Sequence, residues 1–222
     1  MRAKRGRIVV AAGTNGAGKS TIAGEYLAAT GGAYFNPDIV AQRLVAGGMP
    51  RTEANAAAWT FGFEGLRRAI DHRQDFVFET TLGGRSIVRE LHRAIESGAE
   101  VLVFYVGLAS PELHIARVRA RVARGGHDIP TAKIRERYPQ SLSNLIGLLG
   151  KAAAVHVFDN STEDAYGRPS AALVFRMLGR KIIEPDTPTL LDTAPEWAHP
   201  VVAAALKIHS APTPLRRKRP NK

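Results

Sequence analysis

Residues 8–21, IVVAAGTNGAGKST, join an apolar run of strand length to a glycine-rich loop and then to helix-forming residues. Few chain paths accommodate that order. Gly13, Gly18, Lys19 and Ser20 satisfy G-x-x-x-x-G-K-[ST], directly after a predicted strand and directly before a predicted helix. Glycine at 13, 16 and 18 permits backbone angles barred to other residues, so successive N–H groups can curl around phosphates at a helix N-terminus. Lys19 supplies a compact cation for the β- and γ-phosphates, and the Ser20 hydroxyl a ligand for magnesium, with Thr21 a second hydroxyl beside it. Gly13, Thr14, Asn15, Gly16, Ala17, Gly18, Lys19, Ser20 and Thr21 are therefore expected to bind ATP or another nucleoside triphosphate with Mg2+. Switches, motors and kinases all use such a loop, so it leaves the reaction open.

Beyond the loop, strand-length apolar runs alternate with helical patterns, the signature of a parallel sheet with crossover helices on both faces. Strands are predicted at residues 8–12, 33–35, 76–78, 101–108, 155–158 and 172–176. Helices are predicted at 19–29, 39–46, 52–72, 85–97, 111–124, 131–149 (interrupted near Pro139) and 201–209. The expected fold is α/β: a three-layer P-loop NTPase fold with a mostly parallel central sheet and an arginine-bearing helical lid. Residues 1–184 would form the kinase domain, with the lid at about 111–149. Residues 185–209, rich in proline and threonine at their start, would be a surface extension, and 210–222 a basic, disordered tail.

The formal charge of +11 resembles a nucleic-acid footprint until it is located. Nine of the 31 basic residues lie at the two ends, from Arg2 to Arg7 and from Arg216 to Lys222, which leaves 22 against 20 acidic residues in the body. Nucleic-acid binding is thus expected, if at all, only through the tails. The absence of cysteine excludes disulfides and a thiol nucleophile. No apolar stretch reaches the roughly 20 residues a membrane helix needs, and the first apolar run is too short for a signal peptide, so a cytoplasmic protein is expected.

Open parallel sheets bind ligands at the carboxyl ends of their strands. Asp38, after the second strand in AYFNPD, is placed there to orient an acceptor hydroxyl and take its proton; alternatively Asp38 or Asn36 only caps the next helix. Glu79 ends DFVFET and could hold magnesium through water or, the preferred reading, bind substrate hydroxyls together with Thr80 and Thr81. Arg117, Arg121 and Arg124 share one helix face, with Arg119 opposite, and Arg135 and Arg137 lie on the helix that follows Gly125, Gly126 and His127. Arg121 and Arg137 are expected to neutralise the transferring phosphoryl group, and Arg124 to contact nucleotide. His127 is a weaker site candidate, and Trp59, Phe61 and Phe63 are expected mainly in the core.

Taken in order, GTNGAGKST, FNPD, FVFETT, YVGL before SPE, RVRARVARGGHDIP, RERYPQSLSNL and VFDNS resemble the zeta toxin family of P-loop kinases. The resemblance runs from Gly13 to Asn160. It implies transfer of the γ-phosphate of ATP to a sugar hydroxyl, UDP-N-acetylglucosamine being the family's known acceptor. By position, Lys19 matches the family's phosphate-binding lysine, Asp38 its general base, Glu79 its substrate-holding acid, and Arg121 and Arg137 its phosphate-contacting arginines. A separate antitoxin protein is an implied partner. The residues leave two alternatives open: a kinase for another small metabolite or a nucleic-acid end, and a nucleotide-regulated binding protein that transfers nothing.

Overall fold

The computed structural model describes residues 5–21 and 34–212. Most of the helix expected at 19–29, Ala33, Arg2, Lys4 and the tail beyond 212 lie outside the described residues. The elements run β1 (Arg7–Ala12), a helix that opens at Lys19, β2 (Tyr34–Phe35), α1 (Pro37–Ala46), α2 (Arg51–His72), β3 (Phe76–Thr80), α3 (Arg85–Glu96), β4 (Glu100–Gly107), α4 (Pro111–Val122), α5 (Thr131–Leu148), β5 (Ala154–Asp159), β6 (Ala172–Leu178), β7 (Lys181–Glu184), α6 (Thr187–Thr193), a 3-10 turn (Glu196–Ala198) and α7 (His199–Ser210). One seven-stranded sheet has the order β2-β3-β1-β4-β5-β6-β7. Its first five strands are parallel, whereas β6 and β7 are antiparallel.

The period of two in the apolar strands explains why helices cover both faces. Ile8, Val10 and Ala12 of β1, Val101, Val103 and Tyr105 of β4, and Val155 and Val157 of β5 enter the large core, beneath Leu66 of α2, Leu91 of α3 and Leu145 of α5. Side chains of opposite parity, Phe104, Val106 and Phe158, pack on the other face with Ala17 and Leu113. The lid helices carry a small core of their own, Ile115 and Val118 of α4 against Ile134 of α5.

Three differences from the sequence reading have physical causes. The helix across Pro139 is unbroken. A proline in a helix forfeits a hydrogen bond and costs about 3 kcal/mol, but Pro139 is exposed while Ile134, Leu145 and Leu148 of the same helix are fully buried, so packing outweighs the loss. The aromatic residues of α2 are not core residues: Trp59 is 50% and Phe61 53% exposed. Residues 185–209, expected on the surface, send Leu190, Trp197, Val201, Val202 and Ala205 into the main core. Trp197 fits only because residue 107 is glycine, since a Cβ there would lie 2.2 Å from the indole ring. Among the described residues, no helix is long and apolar enough to cross a membrane.

Candidate functional site

The loop after β1 turns through Gly13, Gly16 and Gly18 at φ +140°, +86° and +90°, the left-handed region that a side chain disfavours. Close approach adds a second constraint: a Cβ on Gly13 would meet the Val106 carbonyl oxygen at 2.2 Å, and one on Gly18 would meet Asn160 Nδ2 at 2.5 Å. Two buried side chains fix the loop from outside. Asn160, after β5, donates to the Ala17 carbonyl at 2.8 Å, and His114 of α4 donates from Nδ1 to the Asn15 carbonyl at 2.9 Å. Burial pushes the His114 imidazole down to about 4, which keeps it neutral and suited to that donation.

Strand β3 lies beside β1 with Glu79 opposite Ala11, so the Glu79 carboxylate comes out against the loop. It accepts hydrogen bonds from the Ser20 hydroxyl (2.8 Å), from Asn36 Nδ2 (2.9 Å) and from the Tyr34 hydroxyl, and it pairs with the Lys19 ammonium at 3.4 Å. Both charges are largely buried, at 6% exposure for the lysine and 11% for the glutamate. Burial by itself raises the Glu79 pKa, but the Lys19 charge and the hydrogen bonds from Tyr34 and Ser20 outweigh it, so the carboxyl sits below its usual value. Burial and the neighbouring Glu79 charge push the Tyr34 phenol up, so Tyr34 stays a donor.

Asn36 caps α1, its Oδ1 accepting from the N–H groups of Asp38 and Ile39. Asp38 is thereby free of capping, and its side chain, 39% exposed, meets Arg121 Nη1 at 3.8 Å. Arg121 is held in turn by donation from Nη2 to the His127 carbonyl at 2.7 Å. Arg137 reaches across from α5 and donates to Asn15 Oδ1 of the loop at 2.8 Å. The two arginines chosen from the sequence thus flank the ground between the glycine loop and Asp38. Arg124 does not join them: it is exposed, and its Nε donates to the Ala120 carbonyl of its own helix.

A cleft of about 450 Å³ unites these groups, since Asn15, Asp38, Glu79, Thr80, Thr81 and Arg137 all line it. Trp59, Phe63 and His127 line it as well. A second cavity of about 310 Å³ opens on the other side of the loop, bordered by Gly16, Gly18, Thr21, Arg117, Phe158 and Asn160. Both Nη atoms of Arg117, Asn160 Oδ1 and Thr14 Oγ1 are buried without a hydrogen-bond partner.

The donor set suits the expected ligands. Unpartnered buried donors and acceptors around a glycine cradle fit a polyphosphate nucleotide, and the oxygens of Ser20 and Glu79 are the hard ligands magnesium prefers. Among the described residues no group of three or more His, Asp or Glu side chains could hold a metal alone. Sequence reading missed Tyr34, Asn36 as partner of Glu79, His114 and Asn160. Asn160 had a signal, a polar residue directly after a buried strand. Arg117 was on the correct helix face, but nothing in that spacing ranked it above Arg124.

A family model described as an AAA domain matches residues 8–141. An uncharacterized protein of Haemophilus influenzae is 32% identical over 126 residues, covering 57% of this chain and 88% of that protein. Among solved structures, the chain is similar to one from the AvrRxo1-ORF1:-ORF2 complex with ATP, at 18% identity and a TM-score of 0.62 over 86% of this chain. It spans only 64% of that chain's length. It is also similar to a chain from the PezAT chromosomal toxin-antitoxin system of Streptococcus pneumoniae, at 15% identity and a TM-score of 0.54, covering 94% of this chain and 86% of that one. The fold is that of a P-loop NTPase.

Proposed function

Since the chain belongs to the AAA-domain family matched over residues 8–141, we propose that it is a kinase that moves the γ-phosphoryl group of ATP onto a hydroxyl of a sugar nucleotide, with UDP-N-acetylglucosamine as the acceptor to try first. The observation that carries this reading is the single cleft shared by Asn15 of the glycine loop, Asp38, Glu79 and Arg137. A switch or motor has no need of a second, roomy compartment beside its phosphates; a transferase needs one for its acceptor.

In this reading the loop N–H groups and Lys19 hold the β- and γ-phosphates, and the cavity beside Arg117 and Asn160 takes the base. Ser20 and Glu79 would hold magnesium, directly or through water, which would supply positive charge against the phosphates. Asp38 orients the acceptor hydroxyl and receives its proton as that oxygen bonds to the γ-phosphorus. The bond from phosphorus to the β,γ-bridging oxygen breaks, and ADP leaves. Arg121 and Arg137 stabilise the phosphoryl group in flight, Arg121 exchanging its long contact with Asp38 for a phosphate oxygen. Thr80 and Thr81 offer hydroxyls to the acceptor. Their backbone turn is already fixed, because Thr80 Oγ1 accepts from the Leu82 N–H at 3.1 Å and the Thr81 carbonyl accepts from Ser141 at 2.8 Å. Of the two roles the sequence offered Glu79, magnesium or substrate, this reading takes the metal, on the strength of its hydrogen bond from Ser20.

The similarity to a chain of a toxin-antitoxin system supports a separate protein partner, which in this reading blocks the nucleotide site, and the use of ATP calls for a cytoplasmic setting. The test is mass spectrometry of UDP-N-acetylglucosamine incubated with the protein, ATP and magnesium. A product heavier by one phosphate is expected; loss of ATP without any phosphorylated acceptor, here and in a metabolite extract, contradicts the reading.

A further inference from the structure

Helix α2 carries Trp59 and Phe63 one turn apart, the i, i+4 spacing that puts two side chains on one face. Their rings are stacked, 11° from parallel with centroids 4.9 Å apart, and both line the cleft that contains Asp38. Trp59 is nevertheless 50% exposed. An isolated exposed aromatic calls for no explanation, and Phe61, which borders none of the cavities described, is such a residue. Trp59 differs from it in two respects. Phe63 braces the indole flat, and the cleft it borders also holds hydroxyl, amide and carboxylate groups, Thr80, Thr81, Asn55 and Gln140 among them. A flat apolar wall beside converging polar groups is the surface that recognises a ring bearing hydroxyls.

We infer that Trp59 is the platform on which the acceptor stacks a ring, with Phe63 as its brace, so that the acceptor is a cyclic hydroxyl compound and not an acyclic alcohol. The inference rests on the kinase reading for calling this cleft the acceptor site, but stacking itself requires no transfer. A sugar ring and a nucleobase present the same chemistry to an indole, and separate probes distinguish them.

The experiment is calorimetric titration of the full chain with UDP-N-acetylglucosamine, N-acetylglucosamine, uridine and glycerol, using the wild type, Trp59→Phe and Trp59→Ala. At least one cyclic probe should bind, Trp59→Ala should weaken it by about tenfold or more, and Trp59→Phe should retain it within roughly threefold. Whether N-acetylglucosamine or uridine carries the effect assigns the stacked ring to sugar or base. ATP affinity should be equal in all three proteins, which registers an intact fold. Failure of every cyclic probe to bind, or equal binding by wild type and Trp59→Ala, overturns the inference. Ring binding through Trp59 without any phosphate transfer would leave the platform standing and remove the kinase reading. Transfer with an unchanged acceptor KM in Trp59→Ala would do the reverse.

Discussion

A carboxylate surrounded by four donors is fixed in charge as well as in place. Glu79 has that environment, with Lys19, Ser20, Tyr34 and Asn36 around it. Its folded pKa lies below the unfolded value, so its stabilising contribution is full above the usual carboxylate pKa and is lost as pH falls through the folded one. Glu79→Gln keeps the shape but leaves Lys19 without its counter-charge. Breaking a buried pair in this way costs about 3–5 kcal/mol. Residual exposure of both partners sets the expectation at the low end, read as a lower urea midpoint. The same variant should raise the magnesium concentration for half-maximal activity by about tenfold if Glu79 serves the metal. An unchanged magnesium requirement would contradict a metal role for Glu79. The position of Asp38 on the cleft was legible because a carboxylate after a strand in a parallel sheet has few other places to go. The ring of donors around Glu79 was not, since it draws on Tyr34 and Asn36, 45 and 43 residues away, and no local pattern encodes that meeting.

At the scale of elements, the C-terminal segment has a larger part than its composition suggested. Trp197 lies against Gly107 at the end of β4 and donates from Nε1 to Asp159 at 3.0 Å, beside the Asn160 that holds the glycine loop. Gly107→Ala forces the indole away and should destabilise the protein by about 1–3 kcal/mol, measured by urea unfolding. An unaltered midpoint would mean that the segment docks loosely. Trp197→Phe keeps most of the apolar volume and removes only the donor, so a raised KM for ATP with a nearly unchanged kcat is expected. Several elements were readable within one or two residues: β1 and β4 as unbroken apolar runs of strand length, and α2 and α3 by the helical recurrence of their buried residues. β6 was read as 172–176 and runs Ala172–Leu178, but β7 and α6 were not read: β7 is four residues with charged ends, and α6 has seven residues, too few for a period to declare itself. Pro139 misled for the opposite reason, a strong local signal overruled by tertiary packing.

For the molecule as a whole, imidazoles held neutral by burial, His114 above all, set a pH limit. His114 titrates at about 4 when folded and near the ordinary 6.5 when unfolded. The unfolded chain therefore binds more protons between those values, and stability should fall as pH drops from about 6.5 toward 4, by at most about 3 kcal/mol from this residue. His92, His127 and His156 are shifted downward as well and act in the same direction. Urea midpoints at pH 7 and pH 5 should differ less in His114→Gln than in the wild type; parallel slopes would contradict the assignment. Phosphate transfer by this protein requires the glycine loop and Asp38 to serve one cleft in one reaction. Its most direct measurement is the transfer of labelled γ-phosphate from ATP to acceptor by wild type and Asp38→Asn, with ATP affinity determined on both. The prediction is a loss of transfer of about 10²- to 10⁴-fold with ATP binding unchanged. Transfer at the wild-type rate in Asp38→Asn would contradict it.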